Sequence, residues 1–439
     1  MADFEIIDRI SDLEALSRDL LKEKVVAFDT EADSFYHYFD KTCLVQIATK
    51  RDCYLVDPLA LGGPAELAPL GPVFASPDVR TLFHAAEYDL FVLKRDCGFQ
   101  FAGLFDTMIS AQLLGYPGIG LAALIDHHFG IKLAKDEQRS DWSRRPLTDK
   151  QLTYAASDVH FLIRLAEKLE RELKKAKRLE WAQEEFLALT KREWPERPFD
   201  VLGYLRIKGA RKLAPKSLSI LSRLYLMRDA RAREIDRPPF KVLGNRALLE
   251  ISSEKPGNMK KLATIKGVTE LILRRMGGEI LTAVKEGTKT PHGPIPKLEG
   301  TGAPRRRMDR RSERRVETLK RWRTPRAQEL GIDPGVLCPN AVLETIAWHN
   351  PSSASDLENV PELKSWFVRE FGDEVSNALA QANEKLDRSE ASAKAGNSPS
   401  DHSRSNRASK PDRPDRSDKA DRTDKPARSG SGHSRNRQS

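Results

Sequence analysis

Asp29 and Glu31 stand two residues apart in Val25-Val26-Ala27-Phe28-Asp29-Thr30-Glu31-Ala32-Asp33, a β-branched and aromatic run that predicts a short buried strand ending in a loop. Side chains two apart on a strand share a face, so both acids project together at the strand's end. Adjacent anions repel, and burying them unpaired is costly unless a cation or a metal ion joins them. Asp89 follows His84-Ala85-Ala86-Glu87-Tyr88 at a strand-to-helix junction, and Asp158 lies four residues after Tyr154, on the same face of a predicted helix. Cutting a phosphodiester requires neutralised phosphate charge, an activated water and a stabilised leaving oxygen. Two divalent ions roughly 3.5–4 Å apart supply all three. Hard cations such as Mg²⁺ or Mn²⁺ prefer oxygen ligands, and Asp29, Glu31, Asp89 and Asp158 provide four carboxylates to hold them. Tyr154 then stands beside the attacking water, to orient it or to help remove its proton. Asp33, the third acid of the run, is expected on the loop surface.

The elements that must position these groups fall in the first 190 or so residues. Cys43–Ala48, Cys53–Asp57 and Arg80–Ala85 predict further strands, and helical spacing marks Tyr88–Lys94, Asp106–Leu114 and Leu121–Phe129. Asp106 is placed as a helix N-cap. A single long helix is expected from an N-cap at Thr148 toward Leu179. Strands with interspersed helices give an α/β unit, a mixed sheet flanked by helices.

The chain has 439 residues and a net charge of +10, with the charge unevenly spread. Residues 1–196 hold 25 Lys and Arg against 33 Asp and Glu, whereas residues 197–390 hold 37 against 25. An acidic first half suits cation-dependent chemistry, and a basic second half suits a polyanion. The four cysteines (Cys43, Cys53, Cys97, Cys338) are scattered and make neither a disulfide framework nor a zinc pattern. There is no signal-peptide pattern at the N-terminus and no apolar run long enough to span a bilayer, so a cytoplasmic protein is expected. No Gly-x4-Gly-Lys-Ser/Thr phosphate loop occurs, which excludes a helicase motor.

After the Pro-punctuated join Trp194-Pro195-Glu196-Arg197-Pro198 the chain turns helical and repeats itself. Leu224, Arg228, Ala232 and Glu234 recur 95 positions later as Leu319, Arg323, Ala327 and Glu329. Leu243, Ala247, Leu249 and Glu250 are matched at an offset of 94 with Leu337, Ala341, Leu343 and Glu344, which implies a one-residue gap. A linker rich in Gly, Pro, Thr and Lys spans Gly287–Pro304, and the dense basic run Arg305–Arg326 follows it. From Ala391 there is no Val, Ile, Leu, Met or aromatic residue, which predicts a disordered basic tail.

Asp29-x-Glu31, His84-x4-Asp89 and Tyr154-x3-Asp158 resemble the three exonuclease motifs of the DEDD superfamily, in its tyrosine-bearing branch. The segment Lys135–Leu147 is similar to the one that precedes the third motif in ribonuclease D and its eukaryotic exosome relatives. The helical copies resemble HRDC domains. Asp236-Arg237-Pro238-Pro239-Phe240 matches the signature in the first copy, while Gly331-Ile332-Asp333-Pro334-Gly335 departs from it in the second. One nuclease followed by two such domains is the layout of the bacterial ribonuclease D family.

The resemblance implies an RNase H-like fold for residues 1–195, HRDC-type all-α domains at 210–288 and 312–386, a basic linker at 289–311 and a tail at 387–439. It implies a two-metal 3′→5′ exoribonuclease that releases nucleoside 5′-monophosphates from structured RNA with 3′ overhangs, tRNA precursors above all. Neither a membrane nor a dinucleotide cofactor is implied. Asp29, Glu31, Asp89 and Asp158 become the metal ligands, with Tyr154 completing the catalytic set.

Beyond those five residues, His84 is a core histidine or a contact to the terminal nucleotide. Gln46 is a polar side chain on a buried strand and needs a partner. Arg305, Arg306 and Arg307 head the basic run, which is read as a contact to RNA phosphates. Trp142 and Phe161 are read as packing residues. Removing the second helical copy is expected to weaken RNA binding and spare the cleavage of short oligomers. The competing readings are a DNA-directed 3′→5′ exonuclease and a non-catalytic nucleic-acid-binding scaffold.

Overall fold

The computed structural model describes residues 3–195, 198–295 and 308–395. Arg305, Arg306, Arg307 and the tail from residue 396 lie outside the described residues. Two units are distinguished, Met1–Asp387 and Arg388–Ser439, and the site belongs to the first.

Six strands form one mixed sheet: β1 (Glu5–Ile7), β2 (Val25–Ala32), β3 (Thr42–Ala48), β4 (Cys53–Val56), β5 (Arg80–Phe83) and β6 (Leu104–Asp106), in the order β1-β4-β3-β2-β5-β6. The β2–β3 and β3–β4 pairs are antiparallel, and the outer pairs are parallel. β3 is buried along its whole length, as its Cys-Leu-Val-Gln-Ile-Ala run predicts. The β2–β3 register slips between Glu31 and Ala32, where Ala32 faces Thr42 and leaves Cys43 unmatched. Such a bulge bends the strand and re-aims side chains at its end, here beside the second acid.

The expected long helix is three. Thr148 caps Asp149–His160 in a reciprocal capping box with Gln151. Leu162–Lys175 and Leu179–Thr190 follow. The first break falls at Phe161, without proline or glycine. It lets Asp149–His160 lie against β2, β3 and β4 while Leu162–Lys175 packs against β5 and the helix Thr107–Leu114. Tertiary packing overrides a continuous helical pattern here.

The two helical copies correspond at one offset throughout. Asn245–Glu254 and Asn340–His349 are equivalent helices 95 residues apart. Arg228 donates to the Leu243 carbonyl and to Asn245 Oδ1, and Arg323 does the same to the Cys338 carbonyl and Asn340. The expected gap is therefore absent: the buried partner of Leu343 is Leu248, not Leu249. Alanine and glutamate matches one residue out of phase had suggested the shorter offset.

The copies differ in how they join the nuclease domain. The first has its own core, centred on Leu221, Leu224, Leu248 and Ile280. The second shares the nuclease core, with Trp181 stacked on Trp366 at 4.4 Å and Glu184 accepting from the amides of Ser365 and Trp366. Cutting it away would expose these buried rings, so the truncation is not a neutral test of RNA binding. Among the described residues of the basic run, Arg315 donates to Asn383 and the Ala347 carbonyl, and Arg326 pairs with Glu329 and Glu374, all within this copy. The helix before the linker extends to Lys289, past the expected start at Gly287, and the last helix extends to Ala395.

Candidate active site

β2 carries Asp29 and Glu31 on one face, and the helix Asp149–His160 brings Asp158 over them. One carboxylate oxygen from each of Asp29, Glu31 and Asp158 falls within 4.8 Å of the others. Asp89, in the first turn of the helix Glu87–Cys97, is buried beside this group but not within it. Its Oδ1 accepts from Thr30 Oγ1 at 2.6 Å. The structure thus gathers three of the four acids into one cluster and places the fourth against the residue between two of them.

Burial, with the charges of Asp89, Asp158 and Glu31, holds the Asp29 carboxyl well above the usual range. Burial and the charges of Asp158 and Asp89 do the same to Glu31. Asp89 and Asp158 are each pushed up to about 7, chiefly by burial, against the hydrogen bonds from Thr30 and Tyr154 respectively. Carboxyls gathered this closely repel one another as anions, and the donor set is all oxygen, which fits a hard divalent ion.

Tyr154 has its hydroxyl against Asp158. Burial and the neighbouring Asp158 and Glu31 anions push that phenol far above its ordinary value. It stays protonated at neutral pH and serves as a donor, which favours orienting a water over standing as a phenolate base. Its ring packs 6.1 Å from Trp142, which is fully buried as expected.

Gln46 lies directly across the β2–β3 ladder from Asp29, on the same face. It is completely buried, and neither its amide oxygen nor its nitrogen has a partner. His84 donates through Nδ1 to Thr107 Oγ1 at 2.9 Å, because that hydroxyl gives its own proton to the Phe83 carbonyl. Burial lowers His84 to about 4, so the ring is neutral and Nε2 is an acceptor.

Asp106 is the expected N-cap, accepting from the amides of Met108 and Ile109. It also accepts from Ala85 and Ala86, which fixes the turn that launches the Asp89 helix. Asp33 is not on the surface: it is fully buried and accepts from the Lys41 amide at 2.8 Å and Lys41 Nζ at 2.7 Å. A paired lysine eight residues on makes the burial affordable and closes the β2–β3 loop. The segment before the third motif is fastened by Arg145, which holds Asp57 with two bonds of 2.6 Å and the Cys43 carbonyl with a third. Thr30, Asp33 and Arg145 were missed as parts of the site. Thr30 stood between the two acids, Asp33 was the third acid of the same run, and Arg145 lay in the family-like segment before the third motif, but no local rule announced their partners.

Fold and site together define a metal-dependent 3′–5′ exonuclease: the family model described as 3′-5′ exonuclease matches residues 4–174. The HRDC domain model matches residues 217–284 and again 312–379, the same 95-residue offset. A ribonuclease D of Gluconacetobacter diazotrophicus is 30% identical, over 84% of this chain and 91% of its own length. The catalytic core of RRP6 from Trypanosoma brucei is similar in structure, with a TM-score of 0.60, 30% identity, and 65% of this chain and 81% of that one covered. Escherichia coli RNase D, at 24% identity, shares the fold with a TM-score of 0.60 over 86% of this chain and 99% of its own. The chain belongs to the ribonuclease D family, and it is a hydrolase, a 3′–5′ exoribonuclease.

Proposed function

We propose that this enzyme trims the 3′ extensions of structured RNAs, tRNA precursors among them, in the cytoplasm, and that it uses two Mg²⁺ or Mn²⁺ ions to release nucleoside 5′-monophosphates. The observation that carries this reading is the meeting of Asp29, Glu31 and Asp158 within 4.8 Å, with Asp89 alongside. These four side chains hold the ions. When bound, the ions neutralise phosphate charge, sharpen a water as nucleophile and stabilise the leaving oxygen.

The chain's own groups do the rest. Tyr154, whose one proton goes to Asp158, accepts a hydrogen bond from the attacking water and sets its direction, while Thr30 holds Asp89 in place. His84 offers its neutral Nε2 to a hydroxyl of the terminal nucleotide, and the unpartnered Gln46 amide steadies a polar group beside Asp29. Residues 1–195 form the nuclease domain, and the helical domains at 210–288 and 312–386 extend the surface that meets RNA. In this division Arg305, Arg306 and Arg307 contact phosphates.

The test offers the full chain matched RNA and DNA duplexes with 3′ overhangs and follows the products. Stepwise 5′-mononucleotides from RNA support the reading. Equal release from DNA favours the DNA-directed alternative, and RNA binding without products favours the scaffold.

A further inference from the structure

The loop between β2 and β3 rises from the Asp33–Lys41 closure and ends against the first helical copy. Asp236 Oδ2 lies 2.6 Å from His37 Nδ1, and Asp236 Oδ1 accepts from the amides of Tyr38 and Phe39 at 2.9 and 3.1 Å. Tyr38 donates to Asp229 at 2.9 Å, and Lys241 Nζ sits 3.5 Å above the Tyr36 ring. A well-fastened seam of this kind would be expected to hide its apolar groups. Instead Phe35, Phe39 and Phe240 are 49%, 58% and 56% exposed. Three bare phenyl rings at one seam call for an occupant.

Charge says which occupant. The seam's acids are already engaged: Asp236 with His37, Asp229 with Tyr38, and Asp40 with Arg95 at 3.0 Å. Its cations lie over aromatic faces or outward. Arg233 stands 5.5 Å from the Tyr38 ring centre and 6.0 Å from that of Phe39, and Arg237 is exposed with no ion pair among the described residues. Aromatic faces interleaved with cations are how proteins track single strands, by stacking on bases and neutralising phosphates without reading sequence. The seam is continuous with the site, because the loop leaves the strand that carries Asp29 and Glu31. Tyr88, 44% exposed, reaches Asp40 of that loop and immediately precedes Asp89.

We propose that Phe35, Phe39 and Phe240, with Arg233, Arg237 and Lys241, form a stacking track for the unpaired nucleotides upstream of the 3′ end. The inference rests on the exoribonuclease reading. The track makes the first helical copy part of the substrate path, so that a strand long enough to reach it is held more firmly than a very short one.

The test compares the full chain with Phe35→Ala/Phe39→Ala/Phe240→Ala and with the same positions changed to Trp. Fluorescence anisotropy of 5′-labelled oligouridylates of three and twelve nucleotides is read in an Asp158→Asn background, and hydrolysis of the trimer is read with Asp158 intact. The alanine variant loses at least about tenfold in affinity for the twelve-mer and keeps its trimer hydrolysis, while tryptophan restores the long-strand affinity. Unchanged twelve-mer affinity, or equal losses on both lengths, overturns the track alone. Failure of the tryptophan variant to restore affinity also overturns it. A parent chain that hydrolyses no RNA overturns the exoribonuclease reading and the track with it.

Discussion

Thr30 Oγ1 donates to Asp89 Oδ1 across 2.6 Å, joining the residue between two site acids to a third acid 59 positions away. Both partners are buried, so the bond is shielded from water and holds Asp89 toward the cluster. It also favours the ionised form of Asp89 against the burial that pushes it up to about 7. Thr30→Val keeps the shape and removes the donor, at a cost of about 1.5–3 kcal/mol. We expect turnover at pH 7 to fall about tenfold or more, with part of the loss recovered at pH 9. A flat ratio of variant to parent rates between pH 6 and 9 would refute this.

Tyr154 is held as a phenol by burial and by neighbouring anions. Tyr154→Phe is expected to reduce turnover by about 10²–10⁴-fold and to leave RNA affinity nearly unchanged. Single-turnover hydrolysis and a separate binding isotherm check the two halves. A variant as fast as its parent would remove the tyrosine from water positioning.

The metal-free protein should lose stability as pH rises. Asp89 and Asp158 titrate at about 7 in the folded state against 3.8 in the free carboxyl. Between those values the folded chain binds more protons than the unfolded one. Their stabilising contribution is complete below about pH 4 and lost as pH climbs through 7. In EDTA, the melting temperature of the parent should fall over this window more steeply than that of Asp89→Asn/Asp158→Asn. Saturating Mg²⁺ should remove the difference. Parallel curves in EDTA would contradict the assignment.

Gly115 and Gly331 bring the nuclease domain and the second helical copy into backbone contact. Gly115 has φ +80, and a Cβ built there would stand 1.8 Å from the Gly331 carbonyl oxygen. Arg178 bridges the same junction by donating to the carbonyls of Leu113 and Leu330. Gly115→Ala must move one backbone away from the other, and a loss above about 2 kcal/mol is expected in chemical unfolding. Loss below about 0.5 kcal/mol would mean the junction gives freely.

Much of the site was legible because it follows local rules. A period of two put Asp29 and Glu31 on one face, a period near four paired Tyr154 with Asp158, and turn chemistry placed the caps at Asp106 and Thr148. What escaped depends on contacts between distant residues. Asp33 looked like loop surface until Lys41 was seen to cover it. Phe161 carries no helix-breaking residue type, and the break there answers to two different packing surfaces. The 94-residue offset came from matching letters, whereas Arg228 and Arg323, bound to equivalent carbonyls and asparagines, set it at 95. The Asp236 clamp was read only as a domain signature, since nothing in a helical repeat announces which neighbour its turn will meet.

Asp29, Glu31 and Asp158 are proposed to hold the divalent ions with which this enzyme hydrolyses RNA. Mn²⁺ binding and RNA hydrolysis should be measured on the same preparations of the parent and of Asp158→Asn, with melting curves to establish folding. The folded variant should lose Mn²⁺ affinity and 5′-mononucleotide release together. A folded Asp158→Asn protein that still releases mononucleotides at the parental rate would contradict it.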